Sequence, residues 1–530
     1  MLKRLHSLFL LSLFSILCTL SAVAQITTAS MSGKVVSNGE TVIGATIVAL
    51  HEPSGTTYGT VTNMDGRFDL QGMRTGGPYK VTVSYVGYKS SVYTGVQLQL
   101  GETYSLDVEL KESSEALDEV VVTATRSKFS NEKTGATTNI SSSQITQLPT
   151  VNRSISDIAR LSPYASGMSM AGGDGRSTNF TIDGANFNNN FGLSSNLPGG
   201  GNPISMDAIE EVQVVIAPFD VRQTNFIGGG INAITKSGTN TFKGTAYSYY
   251  RNQDMRGNRI NGEDLGARAD ESKTTYGFTL GGPIIKNKLF FFANFEHEKT
   301  PGEVVKYRAR GAGEEEGGLI SRTYASDLEK VSKHLKEKYG YDTGSYTNFP
   351  ADEKNTKLLA RIDWNITDQH RLSLRYNNTK NTAWQAPNGN SSDTGYRLYG
   401  TYRVGPQSMS YANSLYSMDN KVQSWAADLN SRFSDKISNQ LLFTYTNIED
   451  MRGSNSSPFP FIDIMYTDEN GVNQLEPYIS AGYELFTWNN GVKNKIANIT
   501  DNFTWFAGSH KVTAGLSYEH QFANNAYMRN

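Results

Sequence analysis

"LLARIDWNI", residues 358–366, says more about the fold than any other stretch of the chain. Leu358, Ala360, Ile362, Trp364 and Ile366 fall on one face of an extended segment, with Arg361, Asp363 and Asn365 on the other, because successive strand side chains point to opposite sides. The same period of two recurs in "RLSLRY", where Leu372, Leu374 and Tyr376 oppose Arg371, Ser373 and Arg375. Trp425, Ala427, Leu429 and Phe433 oppose Asp428, Asn430 and Arg432. Val512, Ala514, Leu516 and Tyr518 oppose Thr513, Ser517 and Glu519. From residue 240 onward about nine such segments of roughly ten residues follow one another, the length and alternation of transmembrane β-strands.

A water-soluble sandwich shows the same alternation, so the connections have to separate the two readings. Tight turns ("IIKNK", "TDQH", "SDKISN", "AGSH") alternate with long polar excursions at 252–273, 299–355, 381–421 and 450–494. A transmembrane barrel has short turns on its periplasmic side and long loops outside. Soluble domains rarely carry repeated structureless loops of this length. With the preceding domain on the periplasmic side, the first strand, near Thr241–Arg251, runs outward, and so does the ninth, near Lys511–His520. Single-chain bacterial barrels have even strand numbers, because an open edge in lipid leaves backbone groups unpaired. The expectation is an all-β-dominated chain whose residues 237–530 form the N-terminal part of a transmembrane antiparallel β-barrel, truncated at its C-terminus.

Composition agrees. The 530 residues carry a formal charge of -2, so no global field draws the chain to nucleic acid. The 50 Gly, 28 Tyr and 24 Phe, with a mean hydropathy of -0.44, are too polar for a helical membrane protein and too aromatic for an average soluble enzyme. Residues 1–24 read as a signal peptide: Lys3 and Arg4, an apolar Leu8–Leu20, then Ala22-Val23-Ala24 before Gln25. Cleavage there removes Cys18, the one cysteine, and with it any disulfide or thiolate metal site.

Residues 25–112 hold short β-rich runs (Gly33–Val36, Ile43–Leu50, Gly59–Thr62, Arg67–Leu70, Tyr79–Tyr85, Leu106–Leu110) between turns such as "SNGE" and "NMDG". Such spacing predicts a small β-sandwich. Residues 113–127 form a linker containing "ALDEVVVTATR". Its three consecutive valines are too few for a buried strand and too sticky for an idle linker. Residues 128–236 mix helix and strand patterns, an α+β domain of ordinary size. Ser154–Leu161 has helical spacing stopped by Pro163, "RSTNFTIDG" turns at Asp183-Gly184, and Ile209–Ile216 is a strand with an acidic start.

These stretches together resemble TonB-dependent outer-membrane receptors, specifically the Oar-like branch common in Bacteroidota. "GKVVSNGETVIGATIVAL" and "TNMDGRFDL" are similar to its carboxypeptidase-regulatory-like domain. "RSISDIARLSPYASGM", "STNFTIDGANFNNNFG" and "MDAIEEVQVVIAPFDVRQTNFIGGGINAITKSGTNTFKG" are similar to its plug. The resemblance implies a plug inside a barrel of about 22 strands and a TonB box just before the plug. It also implies energy drawn from TonB and its inner-membrane energising complex. The box would be Asp118, Glu119, Val120, Val121, Val122 and Thr123, adding as a strand to a partner's sheet edge, with the valines supplying β-propensity. The alternative for this segment is a last strand of the regulatory-like domain.

Asn186, Asn188, Asn189, Asn190 and Phe191 are the candidate substrate contacts, since amides and aromatics suit sugars or peptides. "GGGINAITKSG" lacks the Gly before Lys that a phosphate loop needs. His334 and Glu337 have a zinc-ligand spacing, but "SDLEKVSKHLKEKYG" reads as a short amphipathic helix, capped by Ser326 and Glu329 with Leu328, Val331 and Leu335 as its apolar stripe. No catalytic constellation, metal or cofactor is indicated. The expected function is import of a small molecule, peptide or glycan across the outer membrane, with outer-membrane lipid around the barrel and a surface lipoprotein as a further partner. An adhesion or secretion protein on the same barrel is the alternative.

Overall fold

The alternating segments form one antiparallel sheet in strict chain order: β1 (Lys243–Asn252), β2 (Ser272–Ile285), β3 (Leu289–Thr300), β4 (Glu353–Asn365), β5 (His370–Gln385), β6 (Tyr416–Ser434), β7 (Ile437–Gly453), β8 (Gly491–Ala507) and β9 (His510–Ala526). This computed structural model describes residues 26–112, 120–123, 136–188, 197–264, 272–389 and 403–528, with short breaks at 149, 151, 217, 219, 224–226, 303, 351 and 469. The signal-peptide reading lies outside the described residues.

Burial on the sheet is inverted relative to a soluble protein. Asp363 is 1% exposed, while its neighbours Ile362 and Trp364 are each 41% exposed. Leu374, Trp425, Phe443, Ile499 and Leu516 lie on the same outward face, whereas Glu296, Lys357, Arg375, Asn377 and Thr500 are buried on the inner one. A soluble sandwich would bury the first set, since apolar area leaves water at about 25 cal/mol per Å². An outer apolar band with a polar interior is the transmembrane pattern.

The strands are longer than the expected ten residues: β6 has 19, and β7, β8 and β9 have 17 each. Crossing hydrocarbon takes only about 9–11 residues, and the surplus stands above it. There the long excursions depart from the expectation of structureless loops. Strands Ile320–Tyr324, Met409–Ser410, Ile462–Thr467 and Asn473–Ala481 gather around the helix Ala325–Tyr339. Leu328, Leu335, Tyr341, Met409, Tyr411 and Ile479 give this cap its own core. Tyr341 stacks on Phe459 at 4.1 Å, and the Tyr411 hydroxyl donates to the Leu328 carbonyl at 2.7 Å. Residues far apart in sequence supply that core, which is why loop-by-loop reading missed it. The helix is amphipathic as expected, but Ser326 does not cap it. Its N-cap is Tyr324, without a side-chain cap bond, because the chain runs straight in from the preceding strand. Glu329 instead accepts from the Tyr346 hydroxyl, and Gly340 closes the helix at φ 67°.

At the opposite end, residues 29–109 form two facing sheets. One centres on Ala29–Ser37 beside Arg67–Met73, and the other runs Ser91–Leu98, Gly76–Ser84, Thr46–His51, Thr56–Val61. Their shared core includes Met31, Ile47, Leu70, Tyr79 and Val81. This sandwich rests on the short turns: Asn240 N–H donates to the Pro53 carbonyl, Arg371 to Thr57 and Asn63 to Gly508. The α+β domain fills the concave face of the large sheet. Its own sheet is ordered Ala136–Ser141, Ile209–Ile216, Gly229–Thr235, Asn179–Ile182, Ala185–Asn186. Its core of Phe180, Ile182, Val212 and Ile231 runs on into Phe292, Leu359, Val422 and Ile448 of the barrel wall. The helix Ile155–Ala159 begins at the Ser154 cap, whose hydroxyl accepts the Asp157 N–H.

Leu374→Arg places a cation on the outer face of β5. It is expected to cost stability by an amount set by its depth in the bilayer and to reduce the heat-modifiable folded barrel recovered from membranes, while Leu374→Ile leaves recovery unchanged.

Candidate functional site

Inward-facing charges on a membrane strand need partners, since a lone buried ion is several kcal/mol unfavourable. The plug domain supplies them. Asp183 sits at φ 45° in the turn after Asn179–Ile182. Its carboxylate accepts the Thr235 N–H at 2.9 Å and the Thr235 hydroxyl at 2.7 Å, which ties two plug strands. The same carboxylate meets Arg361 of β4 at 3.4 Å and Arg375 of β5 at 3.2 Å. Arg361 also donates to the Thr235 carbonyl at 2.9 Å and forks onto Asp363 at 2.9 and 3.0 Å. Asp363 then accepts from Ser373 at 2.7 Å and faces Arg74 of the sandwich at 4.0 Å. Arg74 donates in turn to Ser237, just past the plug, at 3.1 Å. One alternating row of charge, Arg74–Asp363–Arg361–Asp183–Arg375, therefore touches sandwich, barrel wall and plug.

A second clamp lies on β3 and β4. Lys357 bridges Glu296 at 2.8 Å and Glu298 at 2.5 Å. Glu296 also accepts from the plug's Ser205 at 2.8 Å and from Tyr247 of β1 at 3.0 Å. Beside it the plug's Pro203 carbonyl accepts from Asn377 and Thr379 of β5 at 3.1 and 2.7 Å. A Cβ on Gly200 would come within 2.5 Å of the Asn381 amide, so this loop needs glycine to lie against the wall.

The plug's underside meets the sandwich at Glu211, whose two carboxyl oxygens each lie 3.1 Å from the Leu100 N–H; Asn139 also donates to it. Burial outweighs these hydrogen bonds and, with Glu210 and Glu102 adding like charge, lifts the Glu211 carboxyl to about 8. Ile26, Leu100 and Ile234 close a small apolar patch beside it.

Of the residues expected to contact substrate, Asn186 and Asn188 spend their amides within the plug. Asn186 accepts the Asn188 N–H at 2.8 Å, and Asn188 accepts the Phe180 N–H at 2.8 Å and donates to Asn179 at 2.6 Å. Asn189, Asn190 and Phe191 lie outside the described residues, as do Asp118 and Glu119. Val120–Thr123 is a strand, and it already has a sheet edge. It runs parallel to Ser91–Leu98 of the sandwich, with Val120 opposite Ser91, Val121 opposite Val92, Val122 opposite Tyr93 and Thr123 opposite Thr94. The sandwich strand Ser91–Leu98 went unrecognised in the sequence because Thr94 and Gly95 interrupt its apolar run. Arg361, Asp363 and Arg375 were legible only as a polar face; the signal that marks them is charge on a membrane-crossing strand. Among the described residues no group of three or more His, Cys, Asp or Glu is placed to hold a metal ion, and no helix is long and apolar enough to cross a membrane.

Comparison with known proteins places these features. Residues 234–304 and 327–530 match the family described as outer membrane beta barrel domain. Residues 30–111 match the carboxypeptidase regulatory-like domain. The TonB-dependent transporter Oar of Myxococcus xanthus is 25% identical over 341 residues, covering 60% of this chain and 30% of that protein. The TonB-dependent receptor SusC of Bacteroides thetaiotaomicron is 32% identical over 137 residues, 26% of this chain and 12% of the relative. Among solved structures, the outer membrane transporter YddB from Escherichia coli aligns at 15% identity and a TM-score of 0.48, covering 73% of this chain and 48% of that one. The matched part of this chain thus amounts to less than half the length of each relative.

Asp183→Asn leaves Arg361 and Arg375 buried beside a neutral partner. Breaking a buried pair from one side costs about 3–5 kcal/mol, and the expected readout is faster hydrogen exchange in Asn179–Ile182 and Gly229–Thr235 with the barrel strands unaffected. Contact at Glu211 favours the protonated acid, so it is strongest below the ordinary carboxylate range and weakens as pH rises toward about 8. Protection of the Leu100 amide, corrected for intrinsic exchange, is expected to fall across that window and to become pH-independent in Glu211→Gln.

Proposed function

The chain belongs to the outer-membrane β-barrel family, and from that premise we propose that it works as a TonB-dependent receptor, taking a substrate at the cell surface and passing it to the periplasm. The observation that carries this reading is a plug domain seated against the largely polar inner face of a sheet whose outer face is apolar, tied there by ion pairs from Asp183 alongside a shared apolar contact at Phe292, Leu359, Val422 and Ile448. Reading it as a receptor and not an enzyme is supported by relatives named as a transporter and a receptor.

We place the hand-over to TonB on the segment from Asp118 through Thr123. Val120–Thr123 occupies the edge of the sandwich sheet, so release from Ser91–Leu98 precedes any pairing with a partner's edge. Tension on the linker then reaches Ala136–Ser141. That strand is the edge of the plug sheet and, among the described residues, pairs only with Ile209–Ile216. Pulled from its N-terminal end, it peels one pair at a time, at about 1 kcal/mol net per hydrogen bond. The Asp183 pairs, on the far strands, hold until later. The cap over the lumen and the segment around Asn189, Asn190 and Phe191 take the cargo contacts, with Asn186 and Asn188 shaping their base. A small molecule, peptide or glycan fits such a polar mouth, and a surface lipoprotein is a partner for its delivery.

Deleting Asp118–Thr123 is expected to abolish energised uptake while surface binding and barrel assembly persist. Joining Thr94→Cys to Thr123→Cys with a cleavable thiol cross-linker should stop uptake until the link is cut. Normal uptake by the linked protein would place the hand-over strand elsewhere, and loss of adhesion or secretion alone would favour the structural role.

A further inference from the structure

The outer face of the barrel wall carries a second pattern that neither plug nor cargo explains. Its aromatic belt is marked by Tyr376, Trp425 and Tyr445, whose rings follow one another at 5.2 and 5.5 Å across β5, β6 and β7. Such belts sit at the headgroup level of a membrane. Two outward positions beyond the belt, on the cap side, the same face turns basic. Tyr376 on β5 is followed by Asn378 and Lys380, and Trp425 on β6 is preceded by Gln423 and Lys421. Four residues of strand span roughly 13 Å, so the lysines stand on the cap side of the belt, where their flexible stems can turn the ammonium groups back toward the headgroup layer.

Register places these lysines against one another. Lys380 is directly opposite Lys421, and Lys299 is directly opposite Lys354. Like charges in directly opposed positions destabilise a sheet, and the two pairs on neighbouring strands concentrate four cations that the nearby carboxylates only partly balance. Asp352 serves Lys299 at 2.8 Å and Lys354 at 4.0 Å. Glu449 lies opposite both Lys421 and Lys493, and Asp419 is engaged by Thr382 at 2.7 Å. Among the described residues neither Lys380 nor Lys421 has a carboxylate within ion-pair distance. Between Lys354 and Lys380 the wall opens into a groove of about 420 Å³, floored by Thr356 and Thr382 and closed by His297, Pro350 and Trp384, with Asp352, the partner of Lys299 and Lys354, at its edge.

We propose that this lysine row is a binding site for the phosphate of a phosphorylated outer-leaflet lipid. The ammonium groups and hydroxyls suit a phosphate, which accepts charge-assisted hydrogen bonds from several donors. The site opens sideways onto the apolar wall at Leu358 and Trp425, both on the outward face, so acyl chains of the same molecule continue down that wall. A free anion would have no use for this continuity, and the groove lies on the opposite face of the sheet from the plug. The lipid would hold the rim of β4–β6, which is also where the cap is anchored.

The test uses the full chain in detergent micelles doped with diphosphorylated lipid A or with the same glycolipid dephosphorylated, and native mass spectrometry to count retained lipid. The wild-type protein is expected to retain the phosphorylated form about tenfold better, a difference of about 1.4 kcal/mol. Lys380→Gln/Lys421→Gln should fall to the dephosphorylated level, and Lys380→Arg/Lys421→Arg should recover, with heat-modifiable mobility unchanged in both. Equal retention of the two lipids, or full retention by the glutamine pair, overturns the proposal. So does displacement of the lipid by millimolar inorganic phosphate, which would mark an anion site without a lipid. Cargo uptake by the glutamine pair reports on the receptor reading separately, since neither lysine touches the plug.

Discussion

A sheet that faces hydrocarbon must satisfy its backbone within itself and turn its apolar side chains outward. That single constraint turns the charges of β3, β4 and β5 beneath the aromatic belt to the other side. In this chain it brings Arg361, Asp363, Arg375, Lys357 and Glu296 onto one concave surface, where none of them is tolerable alone. The plug is the answer to this surface: Asp183, Ser205 and the Pro203 carbonyl reach out to it with the groups it lacks. The plug thus combines an apolar contact with the wall at Phe292, Leu359, Val422 and Ile448 with polar contacts whose net worth is small once desolvation is counted. Such a plug is firmly located and still removable.

The row from Arg74 to Arg375 also explains why three pieces of the chain sit together. Removing any one charge unbalances the next, so sandwich, wall and plug share one electrostatic unit rather than three separate contacts. The Glu211–Leu100 junction adds a second tie with a different character, because its acid is held neutral by burial near physiological pH. The Val120–Thr123 strand completes the arrangement by lying on the sandwich edge. A parallel strand at an edge is joined on one side only, and it is the element whose departure disturbs the remainder least.

Most of the barrel was legible from residues. Alternation located the nine strands, and connection lengths distinguished inside from outside, because a strand's period and a turn's length are local properties. The plug's turn at Asp183-Gly184 and its strand Ile209–Ile216 were legible for the same reason. The cap was not. Leu328, Met409 and Ile479 are separated by scores of positions, and each loop taken singly has too little apolar surface to predict a core. Ser326 looked like a helix cap from its spacing to Glu329, but the helix starts before it, since the incoming strand and the cap core set its entry. Asn186 and Asn188 looked available for a ligand, yet the plug's own backbone uses them.

What the sequence determined by itself was which face of each strand is apolar, where each turn falls, and that a β-branched strand lies between sandwich and plug. Those follow from side-chain order along a chain of fixed geometry. Tertiary structure alone decided that Asp183 meets two arginines from neighbouring strands, that lysines on adjacent strands stand opposite one another, and that the valine strand rests on its own domain. Each of these depends on register between distant segments, which is set by the summed packing of the whole sheet and not by any local pattern.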